Sequence, residues 1–526
     1  MNSPLKHILV VGGGTAGWLT AAVLAAGHDS RLPSGVQVTL IESPDVSTIG
    51  VGEGTWPSMR DTLRKIGVSE RDFIRECSAS FKQGSKFVGW RSGQDEEFYY
   101  HPFSLPQGYL HANLVPYWQA EHPDLPFAAA FSSQAALCEL GKAPKQPETP
   151  EFAAVTNYAY HLDAGKFADF LQAHCTKKLG VRHVLDHVAG VNAAADGDIA
   201  SLATRNTGDI PADLFIDCTG VTSLLLGKHY EVPLISQRDI LFNDRAIAMQ
   251  VPYASPDDPI ASATVATARS AGWIWDIGLP TRRGIGYVYS SDHESDDQAE
   301  QTLRQYVDAD VRSISPVDIP ARRLRFDPGY RREFWHRNCV AVGMSAGFIE
   351  PLEASAIALV ELSAAMIRDE LPANRQVMDT VARRFNQRFR YRWERVIEFL
   401  KLHYVLTERT DSSYWTDHCR EEGVPDRLVE LLELWRFQPP SRHDFTQTEE
   451  IFPSASYQYV LYGMGFNTEP RATSSQRDSF EMAQRYFRDN QVQLEKQVNG
   501  LTDNRALNDH MARSTRRRVS TSRTFA

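Results

Sequence analysis

The chain has 526 residues, 42% hydrophobic and 23% charged. That is ordinary for a soluble globular protein and allows two or three structural units, or one large α/β enzyme with insertions. Its 56 basic and 66 acidic residues leave a net charge of -10, which argues against general nucleic-acid binding, since that needs a basic surface. Six scattered cysteines form no CxxC pair, so no metal site is expected, and single cysteines fit a reducing cytoplasm better than a disulfide scaffold. The chain reaches an apolar strand by Ile8 with no signal-peptide layout, and no apolar run approaches the length of a membrane span. A soluble cytoplasmic protein is the expectation.

HILVVGGGTAGWLTAAVLAAG, residues 7 to 27, reads as strand, glycine turn and helix. Ile8 to Val11 is a short apolar run of the kind a buried parallel strand shows. Gly12, Gly14 and Gly17 spell G-x-G-x-x-G, and Thr15 to Ala26 is an alanine-rich helix. One glycine makes the tight turn, one lets the backbone approach a pyrophosphate, and one lets helix and strand pack closely. The helix N-terminus offers free N–H groups and a positive dipole end to the phosphates. A second strand, Val36 to Ile41, ends at Glu42, near the distance at which an acidic residue binds ribose hydroxyls. A carboxylate there favours a 2′-OH over a 2′-phosphate, hence FAD or NAD rather than NADP.

Gly50, Gly52 and Gly54 then surround Glu53, a second glycine-rich loop not expected of a plain NAD domain. IPADLFIDCTG (210 to 220) reads as a strand ending in a turn at Gly220, and NCVAVGMSAGFIEPLEASAIALVE (338 to 361) as strand, glycine-rich loop and helix. A cofactor domain assembled from segments so far apart, with other material between them, fits FAD better than NAD. AGWIWDIGLP (271 to 280) places Trp273 and Trp275 on one face of a strand. They are either sheet packing or the wall of a cofactor or substrate pocket. DTVARRFNQRFRYRWERVIEFLKLHYVL and QRDSFEMAQRYFRDNQVQLEKQV both read as amphipathic helices. The organisation is an α/β cofactor domain over residues 1–370 with inserted substrate-side segments, a mainly helical substrate region over 371–510, and a basic, disordered tail over 511–526 with Arg513, Arg516, Arg517, Arg518 and Arg523.

Together these segments resemble the flavin-dependent halogenases of the tryptophan halogenase family. The resemblance is carried by GGGTAGW (12 to 18), ESPDVSTIGVGEGT (42 to 55), FKQGSKF (81 to 87), GWIWDIGLP (272 to 280), GFIEPLEASAI (347 to 357) and RFRYRWERVIEFLKLHYVLTERTDSSYW (388 to 415). The glycine motif is shared by many flavoproteins; its combination with K-x-G-x-x-F, W-x-W-x-I and E-P-L-E is specific to this family. The family signature W-x-W-x-I-P, beside the flavin site, is matched by Trp273, Trp275 and Ile277, with Gly278 in place of the proline.

The resemblance implies an FAD-binding Rossmann-like α/β fold of the two-dinucleotide-binding-domain type. It implies FADH2 from a separate flavin reductase, O2 and a halide as co-substrates, a flavin C4a-hydroperoxide, and hypohalous acid passed through a tunnel to an essential lysine. That lysine holds the halogen by hydrogen bonding or as a haloamine. Lys82 matches it; Lys86, four residues on, is the rival and reads as a surface lysine. Glu353 matches the active-site glutamate, which would hold the lysine, polarise the hypohalous acid or accept the ring proton. Glu350 reads as a loop residue binding backbone groups. The backbone amides of Ser355 and Ala356, opening a helix, would hold halide. Gly12, Gly14, Thr15, Ala16, Gly17, Glu42, Ser43, Val51, Gly52, Glu53, Val188, Gly220, Met344 and Ile357 would line FAD.

Tryptophan-specific members grip the amino acid with paired tyrosines and an acidic residue. Here SASYQYVLYGMGF carries Tyr457, Tyr459 and Tyr462 without a Tyr-Tyr pair or a carboxylate, so indole or an indole derivative is a better expectation than free tryptophan. Chloride and bromide stay open, as do monomer and homodimer. The alternatives are an FAD-dependent aromatic monooxygenase and a non-catalytic FAD-binding protein.

Overall fold

The computed structural model describes residues 3–46, 52–310, 319–447, 450–469 and 474–513. Its first sheet has six strands in the order Trp335–His336, Cys339–Ala341, Leu214–Asp217, His7–Val11, Gln37–Glu42 and Arg182–Leu185. All pairings are parallel except the outermost, Trp335–His336 with Cys339–Ala341. The central strand reads ILVV because both faces are covered, and Ile8, Leu9, Val10 and Val11 are all buried. The helix Thr15–Gly27 follows at once and is buried from Gly17 to Ala25. Its alanines admit close packing against the helices Ser355–Asp369 and Ala164–His174.

A seven-stranded sheet holds the inserted material, in the order Ala321–Arg325, Arg245–Pro252, Arg282–Tyr289, Gly272–Gly278, Thr264–Arg269, Gly84–Val88 and Phe98–Pro102. The Trp-x-Trp strand lies inside this sheet with all seven residues buried. Trp273, Trp275 and Ile277 enter the main core, while Ile274 joins a smaller core containing Ala299, Leu303 and Val307 of the helix Asp296–Asp310. The strand continues through Gly278, which pairs with Arg283. A third sheet, Gly52–Gly54, Ala159–Asp163 and Ser80–Lys82, has the middle strand as its centre.

From Arg375 onward every regular element among the described residues is helical. The helix Arg375–Val405 is capped by the Asn374 side chain, which accepts from the Gln376 N–H at 3.0 Å. Its C-terminal half is buried continuously from Arg395 to Tyr404. Among the described residues no helix is long and apolar enough to cross a membrane.

Two expectations change. Gly52–Gly54 is a short strand paired with Ala159–Asp163, not a loop; its glycines permit a close crossing, since a Cβ on Gly284 would sit 3.1 Å from Gly52 Cα. The C-terminal helix Asn504–Arg513 runs past residue 510 because Leu507 and Met511 are buried, so residues 511–513 are not tail. Val51, Gly50 and residues 514–526 lie outside the described residues.

Candidate active site

The glycine turn sits at the C-terminal ends of the parallel strands. A Cβ on Gly12, whose φ is +114°, would strike the Cys218 carbonyl, and one on Gly17 would strike the Gly12 carbonyl. At Gly14 a Cβ would meet nothing within 4 Å. Two glycines are therefore demanded by packing, and the third leaves open space at a helix start that has no side-chain cap. The Glu42 carboxylate lies over Gly13, accepts from Gln172 Nε2 at 3.1 Å and stands 2.7 Å from His183 Nε2. Ser43 meets His187 at 3.2 Å, next to Val188. Gly343 packs on Ala16, 2.7 Å from where its Cβ would be. Ser345 Oγ donates to the Gly220 carbonyl at 3.1 Å, which draws Gly220 and Met344 to the same end. This open cradle, with N–H donors at one side and a carboxylate at the other, fits FAD. Ile277 packs against Gly52, and burial pushes the Glu53 carboxyl up to about 7.

Lys82 ends the strand Ser80–Lys82, which is clamped on both sides. Ser80 Oγ donates to the Gly278 carbonyl at 2.5 Å, and the Gln83 N–H donates to the Ser262 carbonyl at 2.7 Å. Lys82 is 1% exposed, and its Nζ stands 5.4 Å from the Phe103 ring centre. A Cβ on Gly54 would lie 2.9 Å from that Nζ and 3.3 Å from Ala354 Cβ, so the lysine reaches the E-P-L-E turn through space only a glycine leaves. Burial lowers the Lys82 ammonium to about 8, and the nearby Glu353 charge works against that fall. Among the described residues the Lys82 side chain makes no ion pair or hydrogen bond. Lys86 is instead paired with Glu139 at 2.6 Å.

Glu353 has φ 61° and Ala354 φ 55°, two successive non-glycine residues in the left-handed region, each costing on the order of 1–3 kcal/mol. The turn delivers the Glu353 carbonyl to Trp56 Nε1 at 2.7 Å and starts the helix Ser355–Asp369 with no side-chain cap, leaving Ser355 buried and Ala356 exposed. The Glu353 carboxylate is 7% exposed as a residue; its Oε1 meets His101 Nδ1 at 2.8 Å and stands 3.4 Å from His403 Nε2, and Ser85 Oγ approaches Oε2 at 3.5 Å. Burial alone would raise this carboxyl, but the two histidines hold it well below the usual carboxylate range.

Glu350 differs from the expectation. It binds side chains, not backbone groups: its Oε2 accepts from Trp273 Nε1 at 2.7 Å, Asn243 Nδ2 at 2.7 Å and Tyr404 OH at 2.6 Å. The W-x-W and E-P-L-E segments are thus joined by one bond. Trp275 fills the space over Gly286 of the next strand. Ile357 is buried behind the turn. Sequence reasoning missed His101, His403, Tyr99, Phe103, Ser85 and Gly54. Only Gly54 carried a signal, as the last glycine of its run.

The family model for tryptophan halogenase matches residues 7–478. The chain belongs to the tryptophan halogenase family. It is 34% identical to the tryptophan 6-halogenase of Streptomyces toxytricini over 87% of this chain and 89% of that protein. With the tryptophan 7-halogenase of Lentzea aerocolonigenes it shares 33% identity over 88% and 90%. A crystal structure of a tryptophan halogenase from Shewanella frigidimarina superposes with a TM-score of 0.94 at 50% identity, covering 97% of this chain and 98% of that one. Family membership gives the FAD-binding Rossmann-like fold and makes the chain a flavin-dependent halogenase. It leaves the ring position open, because relatives at 34% and 33% identity are named for different positions.

Proposed function

We propose that this halogenase chlorinates or brominates an electron-rich aromatic, indole or an indole derivative, at Lys82 and Glu353. The reading is carried by Lys82: a buried cation whose side chain makes no ion pair or hydrogen bond among the described residues, near a carboxylate locked in place by His101. Bound FADH2 with O2 and halide supplies the hypohalous acid. The Lys82 ammonium donates a hydrogen bond to its oxygen and orients the halogen toward the ring. As the carbon–halogen bond forms and the oxygen–halogen bond breaks, Lys82 Nζ gives its proton to the departing hydroxide, yielding water. The Glu353 charge stabilises the ring cation, takes the ring proton and returns it to Lys82. Gly14, Glu42, Gly220 and Met344 would hold FAD, with the Ser355 and Ala356 amides toward the halide.

The helix Ser454–Gly463 supports a substrate without an amino-acid backbone. Tyr457, Tyr459 and Tyr462 are buried there, and the Tyr459 and Tyr462 hydroxyls are committed to the Ser104 carbonyl at 2.9 Å and Thr468 at 3.1 Å. Free tryptophan is the second reading, favoured by the names of the relatives. Mass spectrometry of product from FAD, a flavin reductase, NADH, halide and either indole or tryptophan decides between them. A halogen isotope pattern on tryptophan alone overturns the indole reading, and oxygenated product without halogen overturns halogenation itself.

Gly54→Ala tests the geometry. The new methyl reaches the end of a flexible side chain, so the fold survives and Lys82 Nζ is displaced. Halogenation per flavin oxidised should drop by about 10²-fold, the cost of misplacing a reacting group by an ångström. Unchanged yield would show that Lys82 need not occupy this position.

A further inference from the structure

We propose that His403, oriented by Tyr99, is a positioning residue for halogenation that acts through Glu353. The inference rests on the reading of Glu353 given above. His403 lies on the helix Arg375–Val405, is fully buried and stacks on Phe87 with ring centres 4.6 Å apart. Tyr99 stacks on the other end of the same assembly, 4.8 Å from Phe87, and its hydroxyl meets His403 Nδ1 at 2.6 Å.

The proton positions follow from the partners. Burial holds the Tyr99 phenol well above its ordinary pKa, so its hydroxyl stays protonated and donates. Burial lowers His403, against the pull of Glu353, so the imidazole is neutral with a single N–H. Nδ1 accepts from Tyr99, which leaves that N–H on Nε2. Among the described residues Nε2 has no hydrogen-bond partner, and the Glu353 Oε1 stands 3.4 Å away. The N–H therefore faces the carboxylate, on the oxygen that His101 Nδ1 already occupies. His101 is itself fixed by Ser456 Oγ at 2.9 Å. The His101 hydrogen bond on Oε1, with the His403 Nε2 edge 3.4 Å from the same oxygen, keeps the carboxylate ionised, and Oε2 lies on the side of Ser85. The charged and titratable groups around Glu353 are Lys82 on Ser80–Lys82, Tyr99 and His101 on Phe98–Pro102, and His403 on the long helix. Burial, and after it the Lys82 charge, lowers His161 on Ala159–Asp163.

The test measures halogenated indole per flavin oxidised, with flavin reductase and NADH, across pH. An asparagine amide reaches only the Nδ1 position, whereas a glutamine amide reaches Nε2. His403→Asn should lower kcat about tenfold, leave KM for indole unchanged and move the acidic limb of the profile to higher pH. His403→Gln should restore most of the rate and the limb. Equal loss in both variants with an unmoved limb, or no loss in either, overturns the inference. If His403→Asn does not fold, Tyr99→Phe decides. It keeps the stacked ring and removes only the hydroxyl; a shifted limb supports the relay and an unshifted one overturns it. Glu353→Gln run in parallel separates the two levels. Normal product from that variant removes Glu353 from the mechanism, whatever His403 does. An inactive Glu353→Gln with an unmoved His403→Asn profile removes only His403.

Discussion

Lys82→Met is expected to end halogenation while the protein still folds, binds FAD and oxidises reduced flavin. Product per flavin oxidised should fall by about 10³-fold or more, the scale on which removal of a preorganised donor to a reacting oxygen acts. Methionine is unbranched and nearly fills the volume of the lysine stem, so no cavity opens. The substitution also removes a buried charge that has no ion pair among the described residues, which favours the folded state. The melting temperature should therefore hold or rise as activity disappears. A structural lysine would give the opposite pair of results, and wild-type yield from the variant would end the assignment. The pH profile adds a second check. With Lys82 lowered to about 8, the ammonium that donates to the hypohalous oxygen dominates below that value and is lost above it. Product per flavin should decline as pH passes about 8. A rise there would mean that the free amine reacts, as a haloamine route requires.

The largest stability effect is expected away from this chemistry, at Glu70. This carboxylate is fully buried and takes four donors: Lys145 Nζ at 2.5 Å, Tyr158 OH at 2.5 Å, Tyr160 OH at 2.6 Å and the Phe152 N–H at 2.8 Å. Glu70→Ala strands the Lys145 ammonium in the interior, where among the described residues the Tyr158 hydroxyl, 3.2 Å away, is its one remaining hydrogen-bond partner, and should cost about 3–5 kcal/mol. Lys145→Met leaves the carboxylate with its three remaining donors and should cost clearly less. Equilibrium unfolding of both variants tests that asymmetry; equal losses would contradict it. Tyr160 belongs to the strand Ala159–Asp163, whose Ala159 pairs with Lys82, so Glu70→Ala should also loosen the lysine.

The elements near the start of the chain were legible because local rules govern them. The apolar run, the glycine spacing and the alanine helix each depend on a few neighbouring residues, and the helix predicted from Thr15 begins there. The long helices were legible from their periodicity. Lys82 and Glu353 were legible only through their motifs, since nothing local distinguishes a buried lysine from a surface one. The partners of Glu353 were not legible. His101 and His403 come from a strand and a helix that meet only in the folded molecule. Glu350 was misread for the same reason: its donors Trp273, Asn243 and Tyr404 lie on three distant segments. The helix end at residues 511–513 was not legible, because two buried side chains, Leu507 and Met511, hold a helix of otherwise polar composition.

The order of strands in the parallel sheet also bears on how the protein is made. Its neighbours Cys339–Ala341, Leu214–Asp217 and His7–Val11 are synthesised in the reverse of that order, each separated from the next by more than a hundred residues. A nascent chain carries the central strand well before its neighbour on one flank, Leu214–Asp217, appears, and the next, Cys339–Ala341, comes later again. Pairings so distant along the chain form slowly. The inserted sheet, complete by Arg325, is ready first. The cradle at Gly12 therefore closes late in synthesis, and the Glu353 turn, which follows it, is finished later still.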